Sequence, residues 1–137
     1  MATVNHFPFK RKDEDGLILI PCEIDFDRFV IALDTGASHT TIDLTQLLMN
    51  GYDLKNSIRI EKVETASGIV DAFVFLISSI SCLGITRKNI EINSYDFLGN
   101  GLFSDFEGLL GLDFFDGVKF CVDMDEQGIT IQNKKLK

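Results

Sequence analysis

The chain has 137 residues, 45% hydrophobic and 25% charged, which is typical of a single soluble globular domain. It is too short for a two-lobed enzyme with its own internal cleft, and it has no apolar run long enough to span a bilayer. The net charge of −8, without a cluster of Lys and Arg, disfavours nucleic-acid binding through phosphates.

Most of the chain consists of short apolar runs bounded by turn residues. In chain order they predict strands at 17–24, 29–33, 40–42, 57–64, 69–77, 85, 90–92, 108–111, 118–122 and 129–132. The run 29–33 is continuously apolar, as expected of a strand buried on both faces. Short helices are predicted after Asp43, which offers an N-cap, and at 112–115. Together these elements predict an all-β fold with a barrel-like or sandwich core.

The two ends carry the charge runs KRKDED (10–15) and NKKLK (133–137), which predict solvated, frayed termini. We therefore expect an N-terminal extension at 1–16, one domain at 17–132 and a C-terminal tail at 133–137. The N-terminus lacks the apolar segment of a secretory signal. Three cysteines, Cys22, Cys82 and Cys121, are odd in number and far apart in sequence, which suggests reduced thiols and a cytoplasmic protein.

Three short motifs carry candidate chemistry. In ALDTGAS (32–38), an apolar strand leads into Asp34, and an isolated carboxylate delivered into the interior is costly. Gly36 permits a close approach that a Cβ would block. The other two motifs are GLLGLD (108–113) and a hairpin tip at ETASG (64–68). Taken singly, each motif has a purely structural explanation: a strand that ends in a polar turn for the first, a core strand that turns into a helix for the second, and an ordinary β-turn for the third.

Taken in chain order, at 32–38, 64–68 and 108–113, the three motifs resemble the retropepsin family of aspartic proteases. The F-x-V-D-x-x-x-x-x-I pattern at 120–129 resembles this family as well. The resemblance covers about 17–132 and implies a closed β-barrel with one lobe per chain, without a cofactor or metal. It assigns catalysis to Asp34, Thr35 and Gly36. It assigns substrate contacts to two sets of residues, Ala37 and Ser38 after the catalytic loop and Thr65, Ala66, Ser67 and Gly68 in a flap.

Aspartic proteolysis needs two carboxylates that share a proton, and the chain has a single D-T-G. One chain therefore supplies half a site, and we expect a C2 homodimer that places Asp34 against its symmetry mate. The expected substrate is a peptide or protein, with no nucleic-acid or membrane partner. Two alternatives remain open: a dimeric interaction module without proteolysis, and a monomeric β-barrel binding module in which Asp34 caps a turn.

Several positions refine this expectation. Retroviral enzymes carry an Arg where this chain has Leu112 and its acidic partner where this chain has Ser38, so the ion pair that supports their dimer is missing. Some family members carry a Ser at position 37, whose hydroxyl stabilises the ionised carboxylate. Ala37 cannot do so, and we expect activity at weakly acidic to neutral pH.

The segment 91–126 has one basic and nine acidic residues, which favours basic or neutral peptides as substrates.

Overall fold

The computed structural model describes residues 2–11, 16–65, 68–100 and 105–134. Within these residues the chain forms ten β-strands, one short α-helix and three 3-10 helices. The strands are β1 (Ala2–Pro8), β2 (Leu19–Ile24), β3 (Asp27–Leu33), β4 (Thr41–Asp43), β5 (Arg59–Thr65), β6 (Gly68–Cys82), β7 (Ile85–Tyr95), β8 (Gly108–Leu110), β9 (Lys119–Asp123) and β10 (Gly128–Lys134). The α-helix α1 is Leu44–Met49, and the 3-10 helices are Leu54–Asn56, Leu98–Asn100 and Leu112–Phe115. None of the described helices is long and apolar enough to cross a membrane.

Six strands close into a barrel in the order β2-β3-β8-β4-β7-β6. Strand β6 pairs back onto β2 through Glu23 with Ser81 and Ile24 with Ile80, which closes the ring. The β3–β8 and β4–β7 pairs are parallel, and the other pairs in the ring are antiparallel. Closure leaves these strands no free edge within the ring. The structure thus confirms the predicted all-β barrel.

Strand β5 lies outside the ring and pairs with β6 in a long hairpin. The last described pair is Thr65 with Gly68, and the Thr65 hydroxyl donates a hydrogen bond to the Gly68 carbonyl oxygen at 2.7 Å. Ala66 and Ser67, predicted at the tip, lie outside the described residues. The hairpin predicted for this part of the chain is confirmed.

The core fills the inside of the barrel with alternate side chains of its strands. On β3, Phe29 and Ile31 are buried, whereas Val30 between them is 37% exposed. The prediction that the run 29–33 is buried on both faces is therefore wrong at Val30, because a closed barrel encloses only one face of each strand. Ile129 and Ile131 of β10 are fully buried in the same core.

A second sheet is formed by β1, β10 and β9. Strand β1 pairs with β10 from Ala2 opposite Lys134 to Pro8 opposite Gly128. Residues 2–8, expected in an N-terminal extension, and residues 133 and 134, expected in a tail, form strands, because the two ends of the chain pair with each other. Residues 12–15 and 135–137 lie outside the described residues.

Two further predictions need correction. The separate short strands expected at 85 and 90–92 are parts of one strand, β7, because pairing with β6 continues from Cys82–Ile85 to Phe73–Ser94. Asp43 precedes α1 as predicted, but its side chain does not cap that helix. One carboxylate oxygen instead accepts a hydrogen bond from the Phe97 N–H at 3.2 Å, which ties the start of α1 to the loop after β7.

Candidate active site

Strand β3 delivers Asp34 into a tight turn that fixes its carboxylate. The Asp34 N–H donates to the Leu110 carbonyl oxygen at 3.0 Å, and the Ala37 N–H donates to the Asp34 carbonyl oxygen at 3.1 Å. The Gly36 N–H donates to Asp34 Oδ1 at 3.0 Å. A Cβ on Gly36 would lie 3.2 Å from that oxygen, so glycine leaves the carboxylate room. Asp34 is half-buried, while Thr35 and Gly36 are exposed.

The second motif packs its backbone directly against the loop that follows Asp34. Strand β8 runs parallel to β3 and places Leu110 beside Leu33. A Cβ on Gly111 would lie 2.5 Å from the carbonyl carbon of His39, and backbone atoms cannot yield as a flexible side chain can. Glycine is therefore required at position 111 for the two loops to come this close.

Asp113 joins the same two loops through its side chain. Its Oδ1 accepts hydrogen bonds from the Thr40 N–H at 2.9 Å and from the Thr40 hydroxyl at 2.8 Å. The Thr40 oxygen in turn accepts from the Gly111 N–H at 3.2 Å. Thr40 is fully buried and Asp113 is half-buried, so these bonds are partly shielded from water. The only sequence signal for Asp113 was an acidic residue at the start of a predicted short helix, which does not reveal a partner 73 residues away.

Asp34 opens onto a groove of about 980 Å³ between the barrel and the β5–β6 hairpin. Of the residues predicted to form the site, the groove brings together Asp34, Gly36, Ala37, Ser38 and Thr65. Thr35 and Gly68 are not among its lining residues. Ala66 and Ser67 belong to the undescribed tip.

Two groove residues, Asn93 and Tyr95, are not evident from the sequence. They flank the buried Ser94 on β7, and each is more than nine-tenths buried, with 6% and 8% of its surface exposed. Within the described part of the chain, neither side chain has a hydrogen-bond partner. Burial, and secondarily the Asp34 carboxylate, raises the pKa of the Tyr95 phenol. The groove therefore presents a neutral phenol and a carboxamide beside Asp34.

No group of three or more His, Cys, Asp or Glu side chains that could hold a metal ion occurs among the described residues. His39, at the groove rim, has its Nδ1 2.8 Å from the Ser38 hydroxyl. What the groove offers chemically is a carboxylate, hydrogen-bonding side chains and an extended hairpin along one side.

Comparison with known proteins agrees with this geometry. A family model described as aspartyl protease matches residues 20–114, which is more than half of the chain. The chain is similar to a retropepsin-like aspartic protease from Rickettsia conorii, known from a crystal structure, with a TM-score of 0.70 and 21% identity. The similarity covers 97% of this chain and 94% of that chain and, at this identity, concerns the fold. No curated protein matches the sequence. The chain therefore belongs to the aspartyl protease family and has the retropepsin-like fold.

Proposed function

We propose that the protein is an aspartic endopeptidase whose two catalytic carboxylates come from two copies of the chain. The observation that carries this proposal is the position of Asp34, held by the Gly36 N–H on the floor of a groove that could accommodate a peptide. Among the described residues lining that groove, Asp34 is the single aspartate. A C2 dimer would add the second one from the same position of the partner.

In such a dimer the two carboxylates share one proton, because like charges about 3 Å apart cannot both ionise readily. The ionised carboxylate takes a proton from a bound water, and the water oxygen attacks the peptide carbonyl carbon. The protonated carboxyl donates its proton to the carbonyl oxygen. The tetrahedral intermediate then breaks its C–N bond as the nitrogen accepts a proton, which releases the two products.

The other predicted site residues have distinct roles in this proposal. Thr35 is exposed beside Asp34, where its hydroxyl is available to the partner's loop. The hairpin ending at Thr65 and Gly68, with Ala66 and Ser67 at its tip, acts as a flap that covers the peptide and excludes water. A reducing, cytoplasmic environment is proposed from the sequence, because the three cysteines are odd in number and far apart. The acidic segment 91–126 supports a preference for basic or neutral peptides.

The decisive comparison uses wild type and Asp34→Asn on a peptide library from pH 4 to pH 8. The substitution preserves shape but removes the acid–base group, so cleavage should fall by roughly a thousandfold or more. Asp125→Asn, in the exposed turn between β9 and β10, is the matched control and should cleave like wild type. Equal cleavage by wild type and Asp34→Asn would overturn the proposal.

The half-site is tested separately by sedimentation and by mixing. Wild type should sediment as a dimer at micromolar concentration, and a strict monomer that cleaves peptides would refute the shared dyad. If subunits of tight dimers exchange, an equal amount of Asp34→Asn should lower the activity of a fixed amount of wild type to about half. A dimer without cleavage would indicate an interaction module instead.

A further inference from the structure

Two cysteines that are 60 residues apart in sequence meet where the barrel closes. Strand β2 pairs with β6 through Glu23–Ser81 and Ile24–Ile80, so the next step of the same antiparallel register sets Cys22 opposite Cys82. Both side chains point into the same core, with 2% and 7% of their surfaces exposed. Opposed residues of antiparallel strands have Cα atoms about 4.5–5.5 Å apart, within the range of about 4.4–6.8 Å that disulfides span.

Cys22 and Cys82 are both free, buried thiols. The hydrogen bond between them, together with burial, raises the pKa of the Cys82 thiol. Cys121, the third cysteine, is exposed on β9 in the other sheet, away from this contact.

A second groove, of about 330 Å³, borders the pair. Its lining includes both cysteines together with Pro21, Glu23 and Arg28. This volume exceeds that of several water molecules, so a molecule the size of hydrogen peroxide can enter. The pair is thus buried in the core and borders a groove wide enough for a peroxide.

We propose that Cys22 and Cys82 form a reversible disulfide that clamps β2 to β6 when a peroxide is present. One sulfur, as its thiolate, attacks a peroxide oxygen and breaks the O–O bond, which yields a sulfenic acid and one water after proton transfer. The second sulfur then attacks the sulfenic sulfur, and the hydroxyl leaves as a second water. Two thiols are oxidised by two electrons, and one peroxide is reduced to two waters.

The clamp joins elements that lead to both sides of the candidate site. Strand β2 also pairs with β3, which ends at Asp34, and β6 forms one half of the hairpin that carries Gly68. A bond across 60 residues restricts the unfolded chain, so oxidation should raise the melting temperature by roughly 5–10 °C. This inference does not depend on whether the protein cleaves peptides.

The test uses the full chain carrying Cys121→Ala, which removes the exposed thiol and leaves the proposed pair. After treatment with hydrogen peroxide, its intact mass should fall by two hydrogen atoms. A proteolytic map without reductant should show one cross-linked species containing Cys22 and Cys82. Dithiothreitol should restore the mass and reverse the rise in melting temperature.

The matched variant adds Cys22→Ala to the Cys121→Ala chain. It should show neither the mass loss nor the rise in melting temperature. If this variant does not fold, the peptide map of Cys121→Ala decides alone. The proposal is overturned if both thiols of peroxide-treated Cys121→Ala still react with an alkylating reagent after denaturation. It is also overturned if the cysteines oxidise to sulfinic acid without linking, or link two chains instead of one.

Discussion

Replacing Asp113 with alanine tests the link between the two loops that form the candidate site. In the structure, Asp113 Oδ1 accepts hydrogen bonds from both the N–H and the hydroxyl of Thr40, at 2.9 and 2.8 Å. Thr40 is fully buried, so its N–H and hydroxyl rely on acceptors supplied by the protein. The substitution leaves two donors in the interior without their acceptor.

The magnitude follows from these two bonds. A hydrogen bond to a charged group contributes about 1.5–3 kcal/mol, and a buried donor left unpaired costs about 1–3 kcal/mol. The Thr40 hydroxyl can rotate towards another acceptor, but its N–H cannot. We therefore expect Asp113→Ala to lower the free energy of unfolding by about 3 kcal/mol. Asp113→Asn keeps a neutral oxygen in the same position and should cost about 1 kcal/mol.

Urea unfolding of the full chain, followed by far-ultraviolet circular dichroism, measures these differences. Asp116→Ala is the matched control, because Asp116 is exposed and follows the same 3-10 helix. It should change the free energy of unfolding by less than about 0.5 kcal/mol. If Asp113→Ala is no more destabilising than Asp116→Ala, the carboxylate does not hold the loops together and the reasoning fails.

Three other predictions concern Tyr52, Ala37 and Asn93. Burial, followed by the hydrogen bond from its hydroxyl to Asp25, raises the pKa of Tyr52 above its usual 10.0. The protonated phenol therefore stabilises the fold fully below pH 10, and this stabilisation is lost as the pH rises above 10. In thermal unfolding, the melting temperature of Tyr52→Phe should fall less steeply with alkaline pH than that of wild type, and equal slopes would contradict this. Ala37→Ser should move the optimum of the pH–rate profile down by about one unit, because a hydroxyl favours the ionised form of Asp34; an unchanged optimum would argue against it. Asn93→Leu should lower kcat/KM for peptides with amide or hydroxyl side chains about tenfold relative to apolar ones, and an unaltered library preference would exclude Asn93 from recognition.

The barrel strands could be predicted because their apolar runs are interrupted by recognisable turns. The turn at Asp25 and Phe26, for example, separates β2 from β3 as the sequence indicates, with both residues at positive φ. Strand β1 could not be predicted in the same way. Its segment ATVNHFP mixes apolar and polar residues without a continuous apolar run, and its extended form comes from pairing with β10 at the other end of the chain. Such long-range pairing overrides weak local preference.

The residues of the candidate site also fall into those that a local sequence pattern predicts and those that it does not. Asp34 could be predicted because its strand, its glycine and its small neighbours are consecutive in sequence. The sequence could not predict the role of Asp113, the burial of Tyr95 or the proximity of Cys22 and Cys82. Each depends on a neighbour brought close by barrel closure or by loop packing, and no local pattern encodes that neighbour.

Hydrogen bonds within one chain involve Leu112 and Ser38, the two positions where the ion pair of the retroviral enzymes is missing. The Leu112 N–H donates to the Ala37 carbonyl oxygen at 2.8 Å, and the Asp113 N–H donates to that of Ser38 at 3.2 Å. With the Asp113 carboxylate on Thr40, these bonds fix the loop that follows Asp34 before any partner binds. In the proposed dimer, the second copy therefore needs to supply a carboxylate and cover an exposed loop, but not shape that loop. Each chain carries a net charge of −8, so packing and hydrogen bonds at the interface must overcome like-charge repulsion.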